Sequence, residues 1–240
     1  MKKPPFKFTN KPFAILSHPK TGGDILSKLL NQFSGLHCYG QLFNKDKIKL
    51  PEKKIQRLKV PVESRDEEPL VFLKHLFKLT PKAHSGFVFI FSTQKHILLR
   101  RWLINSEAIN RVIVLRNPFD IYISQASTAP VGQTAPLIKF DPELFDKKIA
   151  LISRIQTRLK EIAAKRPEST ITINYDELAD IASVQRIADF LGASAHPEAL
   201  KISANQTSTP AYKALFEDFS QVQAHVSANH PDLVIDPKKI

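Results

Sequence analysis

The residue types best suited to chemistry fall in two short segments. The first is His18-Pro19-Lys20-Thr21-Gly22-Gly23-Asp24, which follows the apolar run Phe13-Ala14-Ile15-Leu16-Ser17. After it Ile25, Leu26, Leu29, Leu30 and Phe33 repeat at helical spacing, so the stretch reads as strand, tight turn and helix. The first N–H groups of a helix lack intrahelical partners and its dipole favours negative charge there, which makes this layout an anion site. Glycines let the backbone come close to a phosphate, while Lys20 and Thr21 supply a cation and a hydroxyl. The order is not that of a Walker A loop, where the lysine follows the glycines.

The second segment is Arg116-Asn117-Pro118-Phe119-Asp120, directly after the apolar run Val112-Ile113-Val114-Leu115, with Ser124 eight residues beyond Arg116. A proline just inside a helix start is favourable, since its missing N–H costs nothing there. Arg116 therefore stands at a strand end and Ser124 about two turns along a helix. A guanidinium matches a phosphate in bidentate geometry, and a serine on the same side adds a hydroxyl donor.

The elements around these segments are legible by period and length. Residues 36–43 read as a second strand, and 44–69 as a surface excursion with a short helix near 53–58. A helix is expected over 70–78 and a buried strand over 86–91. A further helix over 95–104 should turn Ile97, Leu98, Trp102 and Leu103 inward, ahead of the strand 111–115. An irregular loop follows over 126–142, then a long amphipathic helix over 145–165 and a strand over 170–175. Tyr175-Asp176-Glu177-Leu178 should open the next helix, which ends at Gly192, and a last helix spans 212–226. Near-continuous apolar strands alternating with helices predict an α/β fold: three layers, P-loop-like, with a mostly parallel central sheet and helices on both faces.

A chain of 240 residues with 42% hydrophobic residues suits one domain over 1–240. Its formal net charge of +12 favours anionic ligands without choosing among them, and is compatible with peripheral contact with an anionic membrane surface. Nothing beyond charge points to nucleic acid. The single cysteine, Cys38, excludes an internal disulfide framework and a cysteine-rich metal site. The N-terminal run lacks the apolar stretch of a signal peptide, so a cytoplasmic location is expected.

The two segments in this order resemble the nucleotide-binding motifs of sulfotransferases that use 3′-phosphoadenylyl sulfate (PAPS) as donor. Tyr175-Asp176-Glu177-Leu178, Phe190-Leu191-Gly192, Asn205-Gln206-Thr207 and Phe216-Glu217-Asp218-Phe219 are also similar to segments of the bacterial carbohydrate enzymes. The resemblance implies that Lys20 and the N–H groups of Thr21, Gly22 and Gly23 hold the 5′-phosphate, while Arg116 and Ser124 select the 3′-phosphate. It further implies transfer of a sulfuryl group to a hydroxyl of a carbohydrate or glycolipid, with no metal required. The pattern is departed from in three places, one of them Lys20, where bacterial relatives often carry arginine and either cation can stabilise charge growing on the bridging oxygen. Gly23 and Asp24 replace hydroxyl residues, and Asp24 puts a carboxylate near an anion. Gly40-Gln41-Leu42-Phe43 has glutamine where bacterial relatives carry the glutamate read as general base. Gln41 could orient a hydroxyl, and His37, His18 or Asp24 could accept its proton. The departures keep two alternatives open: a nucleotide-binding homologue without turnover, and a sugar or nucleoside kinase.

Overall fold

The computed structural model describes residues 11–44, 48, 50–80, 82–91, 96–127, 136–193, 200 and 211–240. The N-terminal run and Asn205-Gln206-Thr207 noted above, and 128–135 of the irregular loop, lie outside these residues.

Five strands form one sheet in the order β2-β3-β1-β4-β5: β1 (Lys11–Ser17), β2 (Leu36–Gln41), β3 (His84–Ile90), β4 (Asn110–Leu115) and β5 (Thr170–Asn174). Every pairing is parallel, so the sheet is wholly rather than mostly parallel among the described residues. The strands are apolar on both sides because both sides are covered. Phe13 and Ile15 of β1, with Val88, Val112, Val114 and Ile173, pack against α1 (Gly23–Leu30) and α8 (Ile181–Phe190). Ala14 and Leu16, with Phe87, Phe89, Ile113 and Leu115, pack against α4 (Pro69–Lys78), α5 (Ile97–Asn105) and α7 (Pro142–Lys165). A third cluster joins α6 (Pro118–Ala126), α7 and α9 (Phe219–Asn229). This is the expected three-layer α/β arrangement. No described helix is long and apolar enough to cross a membrane.

Four expectations change in detail. The excursion after β2 holds two short helices, α2 (Glu52–Ile55) and α3 (Ser64–Glu67). In α5 the inner face is Leu99, Trp102 and Leu103, while Ile97 and Leu98 are 62% and 66% exposed; the i, i+3, i+4 set wins over the pair next to the helix start. The 212–226 stretch is two pieces. Phe216 is extended and bridges Ile138, and the Asp218 carboxylate then accepts from the Ser220 and Gln221 N–H groups to start α9 afresh. The segment after β5 opens as a 3-10 turn, Tyr175–Ala179, closed by an Asn174/Glu177 capping box, before Asp180 caps α8.

Arg111 is fully buried on β4. Its guanidinium donates to the carbonyls of Leu103, Ser106 and Ile109 and to Ser169 Oγ, and burial holds its pKa down to about 10.

Candidate anion-binding cleft

The connections after β1 and β4 leave neighbouring strand ends in a parallel sheet whose order reverses at this point, where α/β proteins place ligands. A cleft of about 620 Å³ opens there, and both motif segments line it: Ser17, His18, Lys20, Gly22, Gly23, Asp24, Gln41, Arg116, Ser124 and Tyr175 among others.

The turn after β1 is closed from within. The Thr21 hydroxyl and N–H both bond to the His18 carbonyl, at 2.8 and 3.3 Å. Thr21 is fully buried and is not among the lining residues, so its hydroxyl shapes the loop instead of facing a ligand. Lys20 adopts a left-handed φ of 66° and is exposed. Gly22 has φ 92°, and a Cβ there would strike Leu178 and Tyr175 at 2.7 and 2.8 Å. The first α1 bond runs from Leu26 N–H to the Gly22 carbonyl at 3.0 Å, leaving the N–H groups of Gly23, Asp24 and Ile25 ahead of the ladder, at the mouth of the cleft.

Gly23 explains why no hydroxyl residue stands at its position. A Cβ would lie 2.7 Å from Ser17 Oγ and 3.1 Å from Val88 Cγ1. Ser17, fully buried at the end of β1, has no hydrogen-bond partner for its Oγ among the described residues, and it lines the cleft. A hydroxyl is thus present beside residue 23 after all, supplied by the strand. Sequence reading missed it, because a serine closing an apolar run looks like a strand terminus.

Arg116 joins the two segments. Its Nη1 donates to the Lys20 carbonyl at 2.8 Å, and its guanidinium carbon lies 3.8 Å from the centre of the Tyr175 ring. The Gln156 amide in turn donates to the Arg116 carbonyl at 2.6 Å. The rest of the second motif is structural. Asn117 caps α6 through the Phe119 N–H and donates to the Val234 carbonyl. Buried Asp120 accepts from the Tyr212 hydroxyl and the Lys239 ammonium, each at 2.9 Å. Burial and the nearby carboxylate push the Tyr212 phenol pKa well above its usual value.

Two of the residues that depart from the resembled pattern meet each other. Gln41 Nε2 donates to Asp24 Oδ2 at 2.7 Å. A shift in the β2–β3 register between Cys38 and Gln41, with Gly40 at φ 70°, brings Gln41 to this position.

His37 is not brought to the cleft. It lies near the start of β2, four residues before Gln41, roughly 13 Å back along a strand. Its Nε2 stands 3.1 Å from Lys54 Nζ and its ring packs edge-on against Tyr39. Burial, followed by the Lys54 and Lys82 charges, lowers its pKa to about 4, so it is neutral near pH 7 and stands outside the cleft lining. His18 does line the cleft, with Nδ1 2.9 Å from the Pro19 carbonyl and a pKa lowered by burial.

Fold and site together define an α/β protein with a candidate anion-binding cleft at the C-terminal edge of a parallel sheet. No family model and no curated protein matches the chain in sequence. Among solved structures it is similar to a sulfotransferase from Alicyclobacillus acidocaldarius, at 15% identity and a TM-score of 0.47, covering 97% of this chain and 98% of that one. It is also similar to retinol dehydratase in a complex with retinol and PAP, at 16% identity and a TM-score of 0.38, covering 96% of this chain and 73% of that one. Both scores lie below 0.5, and the functional reading rests on the cleft.

Proposed function

We propose that the cleft binds 3′-phosphoadenylyl sulfate and passes its sulfuryl group to a hydroxyl of a carbohydrate or glycolipid. The observation that carries this reading is the Arg116 bond to the Lys20 carbonyl, which puts the glycine turn and the Arg116/Ser124 segment in one cleft. In this reading Lys20, the first N–H groups of α1 and the Ser17 hydroxyl serve the 5′-phosphosulfate end, and Arg116 and Ser124 serve the 3′-phosphate. The acceptor oxygen forms a bond to sulfur as the bond from sulfur to the 5′-phosphate oxygen breaks, and positive charge and N–H dipoles stabilise the leaving phosphate.

Asp24 takes the acceptor proton. Its carboxylate lies one hydrogen bond from the Gln41 amide, the position where the resembled enzymes carry a glutamate, so the base has moved across the cleft mouth and Gln41 orients it. That bond also draws the carboxylate toward β2. Without such a restraint, repulsion with a phosphate would reach roughly 4 kcal/mol at 4 Å and an effective dielectric of 20. A second reading, a nucleotide-binding homologue without turnover, has its support in Gln41, since an amide cannot accept the proton itself.

Calorimetry with adenosine 3′,5′-bisphosphate and with ATP and magnesium, followed by turnover with radiolabelled donor and mixed glycans and glycolipids, tests the proposal. Binding of the bisphosphate in preference to ATP, with transfer lost in Asp24→Asn, is the expected result. Preference for ATP with magnesium refutes the donor assignment. Bisphosphate binding without transfer to any acceptor favours the second reading.

A further inference from the structure

A second cluster of chemically capable side chains lies in the outer helical layer, none of it lining the cleft. Asp146 sits in the second turn of α7, His225 in the latter half of α9, and His230 just past its end. Both imidazoles aim at one atom: His225 Nε2 and His230 Nε2 are each 2.7 Å from Asp146 Oδ1. The three donor atoms lie within 4.8 Å of one another. The rings are held in place by aromatic edges, Phe145 against both imidazoles at 5.8 and 5.6 Å and Phe140 against His225 at 5.5 Å. The histidines are 17% and 21% exposed and Asp146 44%, so one side of the cluster faces solvent.

We infer that Asp146, His225 and His230 form a site for a divalent transition metal of the zinc class, tying α7 to the end of α9. Two imidazole nitrogens and one carboxylate oxygen match the donor preference of such ions, with water completing the shell on the exposed side. At zinc–ligand distances of about 2.0–2.1 Å, tetrahedral donors stand roughly 3.3 Å apart, so each N···O separation must widen by about half an ångström. The exposed Asp146 side chain can supply that movement.

Metal binding requires Nε2 lone pairs, so each neutral imidazole must carry its proton on Nδ1. At His225 the Asn229 amide nitrogen stands 3.3 Å from Nδ1 and also donates to the His225 carbonyl at 3.1 Å, so a metal-bound His225 must exchange the first of these contacts for a water or solvent acceptor on Nδ1. Protonated imidazoles cannot coordinate, and acid therefore competes with the metal. The three ligands share no residue with the proposed sulfuryl-transfer cleft, so either site can fail without the other.

The test uses the full chain freed of metal with EDTA, titrated with ZnCl2 by calorimetry and against a chromogenic chelator, and with CoCl2 by visible absorption. One equivalent should bind, raise the melting temperature and give a Co²⁺ d–d band. His225→Gln and His230→Gln keep an N–H donor toward Asp146 but remove the ligand, and each should weaken zinc at least about 100-fold. His75→Ala, on α4, should bind zinc as the unaltered chain does. Absence of binding at micromolar zinc, or unaltered affinity in both glutamine variants, would overturn the inference and leave a hydrogen-bonded clamp.

Discussion

Replacing Arg116 with alanine separates two jobs, one proposed for this side chain toward the ligand and one seen within the protein. One is toward the ligand: a bidentate guanidinium–phosphate contact is two charge-assisted hydrogen bonds, each about 1.5–3 kcal/mol. The other is internal, the bond at 2.8 Å to the Lys20 carbonyl that braces the turn, at about 1–1.5 kcal/mol. Adenosine 3′,5′-bisphosphate should feel both losses. Taking the low end of the phosphate contact, about 3 kcal/mol, plus the brace gives a dissociation constant weaker by about 10³-fold. Adenosine 5′-monophosphate lacks the 3′ group and should lose only the brace, about 10-fold. Arg116→Lys keeps the charge but not the fork and should fall between. Calorimetry with both nucleotides is the assay. Circular dichroism melts must accompany it, because stacking on Tyr175 at 3.8 Å contributes up to about 2 kcal/mol to the fold. Bisphosphate affinity unchanged within about twofold in a folded variant would mean that Arg116 does not meet the 3′-phosphate. Equal losses for the two nucleotides would show that Arg116 acts through Lys20 alone.

Three further outcomes are expected. Gly23→Ser forces a Cβ to 2.7 Å from Ser17 Oγ and should cost about 1–3 kcal/mol in urea melts, with Ser17→Gly recovering a large part; no recovery would mean the strain lies elsewhere. Arg111→Ala removes four hydrogen bonds to buried or half-buried oxygens and should destabilise by about 3–5 kcal/mol in the same melts, a larger loss than Gly23→Ser produces. His37, with its folded pKa lowered to about 4, binds its proton more readily when unfolded. Its contribution is therefore full above pH 6.5 and lost as pH falls toward 4, by about 1–2 kcal/mol after screening. His37→Gln should flatten that part of the stability profile, and an unchanged slope would rule His37 out as its source.

What the sequence made legible follows from burial. β1, β3 and β4 are covered on both faces, so their near-continuous apolar runs stood out, and residue type and spacing singled out Arg116 and Ser124, which the fold brings to one cleft with the glycine turn. Partnerships across the sheet were not. Gln41 and Asp24 are 17 residues apart and meet only through the shifted β2–β3 register, which no local pattern encodes. His37 looked near Gln41 because the two are close in sequence, yet an extended chain separates them in space. In α5, Ile97 and Leu98 fitted an apolar face as well as Leu99 did, and only packing against the sheet distinguished them. Thr21 has the right type for a ligand contact but spends its hydroxyl on the His18 carbonyl.

Lys20 holds a left-handed backbone that costs a non-glycine residue about 1–2 kcal/mol, and its carbonyl is fastened by Arg116 from within the protein. The entropy of ordering this corner is thus spent during folding, and encounter with an anion need not wait for a loop to close. Capture should then be limited by diffusion through the basic field and slow as salt is added, and even a fragment carrying one phosphate would find its half of the cavity ready.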